Sequence, residues 1–147
     1  MSALLAAWVV VMGAGLSLQP LINAQIARTA GHPVYGALIS VLVSTLTMAA
    51  GVLVGRLDAP NARALWAAPW WMWTGGVIGA FVVLAALTSA PRLGAATTVA
   101  LFIAGQLAAS LVIDQFGVLG VPVHPLDAKR ALGVLCLVAG VFLIRWA

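Results

Sequence analysis

Two segments carry polar side chains in places that are otherwise apolar. In "LSLQPLINAQIAR", residues 16–28, Gln19 and Asn23 lie four apart and share a helix face. Gly15 extends that face, whereas Gln25 points elsewhere. Further on, Thr98, Phe102, Gln106, Ser110 and Asp114 follow one another at steps of four. The rest of that helix is mostly Leu, Val, Ile and Ala. Amides and hydroxyls on one face can hydrogen-bond a polar solute, or each other. They form no nucleophile–base pair and no pair of carboxylates within the membrane, so no catalytic residue and no enzyme is expected. The acidic residues number three, Asp58, Asp114 and Asp127, with no Glu. Asp58 and Asp127 read as solvated loop residues. The one cysteine, Cys136, permits neither an intrachain disulfide nor a Cys-based metal site. His32 and His124 sit beside prolines in loops and read as structural or exposed. Neither a metal nor a cofactor is expected.

These residues need apolar helices to hold them. The 147 residues are 64% hydrophobic and 7% charged, against about a quarter charged in a soluble domain. This composition is that of an all-α integral membrane protein. The net charge of +4 comes from basic residues scattered singly between apolar runs. That is the pattern of membrane-flanking charge, and it excludes nucleic acid as a partner. The bilayer takes that place.

A bilayer core needs about 20 apolar residues per helix. Cutting at prolines and charges gives five spans in one transmembrane domain, residues 1–147. They run over about 3–27, 34–55, 70–90, 95–116 and 131–146. "TAGHP" and "PRLG" are short turns; "RLDAPNARALWAAP" and "GVLGVPVHPLDAKR" are longer loops. The fifth span is the weakest in length. Its apolar part stops at Ile144, and Arg145 and Trp146 mark its end. It can borrow Ala128 and the aliphatic stems of Lys129 and Arg130 by snorkelling. Trp66, Trp70, Trp71 and Trp73 read as an interfacial belt.

Pro20 removes a backbone donor and clashes with the carbonyl of Leu16. Such a proline is tolerated where neighbours or water satisfy the freed group. Gln106 falls near the middle of the fourth span. Asp114 lies about 12 Å further along, near the membrane surface. A polar stripe is costly facing lipid, so it should face a helix or a cavity. Gln, Asn and Ser also hold membrane helices together. Small residues at steps of four or seven let helices approach closely. Gly36, Ser40 and Ser44 do so on the second span, Gly75 and Gly79 on the third, Gly105 and Ala109 on the fourth, Gly133 and Gly140 on the fifth. They are expected to form packing or dimer surfaces.

Five spans would put the termini on opposite sides. Arg56, Arg63, Lys129 and Arg130 then face Arg28, Arg92 and Arg145 across the bilayer. Orientation follows Lys and Arg asymmetry. Here there is almost none, so the expectation is insertion in both directions and an antiparallel, dual-topology homodimer.

"LQPLINAQI", "AGQLAASLVIDQFGVLG" and "KRALGVLCLVAGVFLI" resemble the YdcZ-like family of the drug/metabolite transporter superfamily over essentially the whole chain. The resemblance implies a small five-helix, multi-pass protein of the bacterial inner membrane. It implies work as an antiparallel homodimer or as a pair of oppositely oriented subunits. The wider superfamily exports small organic molecules. Small multidrug exporters in it couple to protons through a Glu on the first helix; this sequence has no Glu, and Gln19 and Asn23 do not titrate.

The expected function is secondary transport by alternating access, with two inverted copies forming a polar midplane cavity. Gln19, Asn23, Gln106 and Ser110 would line it, with Thr98 and Asp114 on the same stripe. Asp114 would gate, or pair with a basic residue near the surface. The substrate would be a small polar or amphipathic organic compound. The competing reading is a non-transporting helper or scaffold subunit, in which the amides only hold helices together. Cysteine placed at Gln19 or Gln106 separates the two by its reactivity with a water-soluble thiol reagent.

Overall fold

The computed structural model describes residues 2–146, apart from the side chains of Ser2, Leu119, Arg145 and Trp146. The expected end of the fifth span, at Arg145 and Trp146, therefore lies outside the described side chains. The described residues are all helix and loop, in two compact units, Met1–Arg92 and Leu93–Ala147.

The first unit contains α1, Ser2–Ala30, α2, Pro33–Val54, α3, Ala62–Trp66, and all but the last residue of α4, Thr74–Leu93. The second contains α5, Ala95–Phe116, and α6, Ala128–Trp146. Among the described residues four stretches are long and apolar enough to cross a bilayer: Ala3–Ala30, Pro33–Val54, Trp70–Leu93 and Ala95–Phe116. The α6 helix carries Lys129 and Arg130 in its first turn, which leaves residues 131–144 as its apolar run. That run spans about 21 Å, short of the roughly 30 Å hydrocarbon core.

The first turn is tight because its residues specify it. Gly31 takes φ +83, a conformation open to glycine, and donates to the Arg28 carbonyl. His32 caps α2, its Nδ1 accepting from Val34 N at 3.2 Å, and Pro33 sits at the first helical position. The α1 helix continues past Arg28 to Ala30, so the turn is shorter than the stretch "TAGHP".

Three local expectations need correction. "PRLG" does not turn the chain at its proline. Pro91 lies inside α4, which ends only at Leu93; the break comes at Gly94, with φ +85. A proline in the last turn removes one backbone bond, that to Leu87, whereas a positive φ stops a helix outright. The first long loop holds the short helix α3, capped by Asn61, whose side chain accepts from Ala64 N at 3.1 Å. The third span opens with a 3-10 turn, Trp70–Trp73, before α4 begins. Trp66 of α3 and Trp70, Trp71 and Trp73 of this turn are all exposed, as an interfacial belt requires.

The packed interior of the first unit is small. Ala24, Ala27, Ala37 and Leu87 are buried together, with Val83 and Leu84 of α4 against them. The large apolar side chains point outward. In lipid that outward surface is the solvated one, and small residues do the packing.

Candidate functional site

The α1–α2 hairpin is counted from its turn. Ala27 lies four residues before Gly31 and Gly36 four after His32. Asn23 lies eight before and Ser40 eight after. In an antiparallel hairpin, residues equidistant from the turn meet, and both pairs do. A Cβ on Gly36 would stand 2.7 Å from the Ala27 Cβ and 2.8 Å from the Asn23 carbonyl oxygen. Only glycine permits that approach. One turn further in, Asn23 Nδ2 donates to Ser40 Oγ at 2.9 Å. Both residues are buried. The Ser40 carbonyl accepts from Ser44 Oγ at 2.9 Å. Asn23 is thus held in a helix–helix bond in this structure. Gln19, half-buried, lies one step beyond at the level of Ser44.

The α5 stripe divides into three kinds of site. At its start Thr98 is 2% exposed, and its hydroxyl donates to the Gly94 carbonyl at 2.9 Å. Phe102 and Ser110 are half-buried, and Ser110 Oγ donates to the Leu107 carbonyl at 2.9 Å. Gln106, at the midpoint of α5, is exposed, and its neighbour Gly105 faces open space. At its end Asp114 is in an ion pair, the second of the two roles expected for it. Arg130 Nη1 lies 3.1 Å from Asp114 Oδ2.

That pair belongs to a clip. Arg130 Nη1 also donates to the His124 carbonyl at 3.0 Å, and His124 N donates to the Asp114 carbonyl at 2.8 Å. Gln115 Oε1 accepts from Leu126 N at 2.7 Å. Asp127 Oδ1 accepts from Arg130 N at 2.7 Å and so caps α6. Gly117, at φ +61, closes α5. The loop between α5 and α6 is tied to both helix ends, so Asp127 is a cap and not a merely solvated residue. Sequence reasoning misses the parts that Gln115 and Arg130 play here. Their signal is position: a polar residue in the last turn of one helix and a basic one in the first turn of the next.

The glycines expected to pack separate cleanly. Gly36 meets α1, whereas a Cβ on Gly75, Gly79, Gly133 or Gly140 would meet nothing within 4 Å. Among the described residues no three of His, Cys, Asp and Glu gather as metal ligands.

The hairpin amides and the α5 stripe thus put hydrogen-bonding groups on apolar helices. The family model described as "Putative inner membrane exporter, YdcZ" matches residues 4–143. The inner membrane protein YdcZ of Escherichia coli (strain K12) is 28% identical over 138 residues, which cover 94% of this chain and 92% of the relative. No solved structure matches.

Proposed function

Because the chain belongs to the YdcZ family of inner membrane exporters, we propose that it exports a small polar or amphipathic organic compound by alternating access, as an antiparallel homodimer. It is a multi-pass inner membrane protein, and its family is described as one of inner membrane exporters. The homodimer supplies two inverted copies around a polar cavity at the bilayer midplane.

One observation carries the reading. Gln106 is exposed at the centre of a 22-residue membrane-spanning helix, beside a glycine that leaves room. An amide facing hydrocarbon is expensive. A second copy, inverted about an axis in the membrane plane, brings mid-helix residues to the same depth. There Gln106 would face a polar, hydrated space. Gln19 and Ser110, both half-buried, would add donors and acceptors to it. The α6 helix would complete a fifth span, with Lys129 and Arg130 reaching the headgroups from its first turn.

The near-even charge count, four basic residues against three, supports insertion in both directions. Asn23 itself fits the helper reading better, since its amide nitrogen is already engaged by Ser40.

The deciding experiment fuses paired reporters to the C-terminus, one active only in the cytoplasm and one only outside. Strong signal from both is expected. Signal from one side alone overturns self-pairing in opposite orientations.

A further inference from the structure

The first unit contains a recess of about 320 Å³ at the end of the bundle where α1 stops, α2 starts and α4 stops. This is at the lower end of the size range of small-molecule sites, about 300–1,000 Å³. Its walls are of two kinds. Ala24 and Leu87, both buried, make an apolar wall. Arg28 and Arg92, far apart in sequence, line it with His32.

The charge at this recess is uncompensated. Among the described residues neither Arg28 nor Arg92 makes an ion pair. The unit's one carboxylate, Asp58, lies past the far end of α2, roughly 33 Å of helix away. Two helix C-termini at the recess bring about half a negative charge each, and the α2 N-terminus offsets one of them. Two full guanidinium charges outweigh that remainder. His32 adds a hydrogen-bond donor. Its Nδ1 accepts from Val34 N, which places the proton of the neutral ring on Nε2, a donor. Thr88, also in the lining, donates to the Leu84 carbonyl at 2.7 Å and leaves anion recognition to the arginines.

We propose that this recess binds the anionic group, phosphate or carboxylate, of an amphipathic molecule whose apolar part lies against Ala24 and Leu87. Guanidinium is suited to the group, because its planar fork meets such oxygens two at a time. The ligand is either a free organic anion or a lipid headgroup. The site uses three helices of the first unit and is independent of dimerisation and of transport.

The test uses the full-length protein purified in a neutral maltoside detergent. Its melting temperature is followed against inorganic phosphate, against dihexanoyl phosphatidic acid, and against dihexanoylglycerol as the uncharged control. Stabilisation by both phosphate and phosphatidic acid identifies a free-anion site; stabilisation by phosphatidic acid alone identifies a headgroup site. Either upholds the proposal. R28Q and R92Q should each weaken binding by about tenfold or more, the worth of one charge-assisted contact. R28K/R92K, which keeps the charge, should bind more tightly than R28Q/R92Q. R63Q, outside the recess, should bind as the unaltered chain does. The single variants carry the test if R28Q/R92Q does not fold. The proposal is overturned if dihexanoylglycerol stabilises as well as phosphatidic acid, if no probe stabilises, if R28Q and R92Q bind undiminished, or if R63Q loses as much.

Discussion

Asn23 and Ser40 share a buried hydrogen bond of 2.9 Å between α1 and α2. In hydrocarbon an amide without a partner is costly, so this bond joins the two helices at one register. Removing either residue should weaken the hairpin, and removing both should cost less than the sum. A double-mutant cycle of N23A and S40A, read by detergent unfolding, is expected to give a coupling of about 0.6–2 kcal/mol. A coupling of zero would mean the contact contributes nothing measurable.

Gly36 sets how closely those helices approach. Its missing Cβ would meet the Asn23 carbonyl and Ala27, and backbone cannot swing aside. G36A should therefore destabilise the first unit by about 1–3 kcal/mol, the usual cost of overpacking. G75A, where a Cβ meets open space, is the control and should leave the melting temperature of the monomer unchanged.

The hairpin is partly legible in the sequence. Its turn is plain from Gly31, His32 and Pro33, and the bounds of α5 from the glycines at 94 and 117. Periodicity places Gln19 with Asn23 on one face, but a face does not name its partner. Ser40 emerges only when residues are counted outward from the turn, a step that needs the turn's length. The exit of α4 is misread at Pro91 because a proline signals a boundary in water more reliably than in a membrane helix. Asp114 is readable as polar and near the surface. Its engagement with Arg130 is not, because it depends on how the loop between them folds back.

The Asp114–Arg130 pair should matter more to that loop than to the fold. Both side chains are about one-third exposed, so the pair is worth less than about 1 kcal/mol. Arg130 holds the His124 carbonyl as well. Hydrogen exchange over residues 118–126 is therefore expected to rise more in R130Q than in D114N, with little change in overall melting. Equal exchange in both variants and the unaltered chain would show that the loop is ordered without the clip.

Gln106 gives the direct test of a cavity. Cys136, an exposed free thiol, is first replaced by serine. Cysteine at Gln106 in that background should react with a membrane-impermeant, water-soluble thiol reagent, and should do so from both sides in membranes holding both orientations. Complete inertness there, with a loop cysteine at Asn61 reacting normally, would leave Gln106 as helix glue and favour the scaffold reading.

The two residues of the first turn carry information in their number as well as their kind. Gly31 and His32 set the point from which the facing pairs are counted. One insertion between them would change the path into α2 and take Ser40 and Gly36 out of step with Asn23 and Ala27. Substitutions along the hairpin are local injuries; a change in the length of this turn is a frameshift in three dimensions. Insertions should be absorbed far more readily in the exposed loops at 55–61 and 121–126 than here.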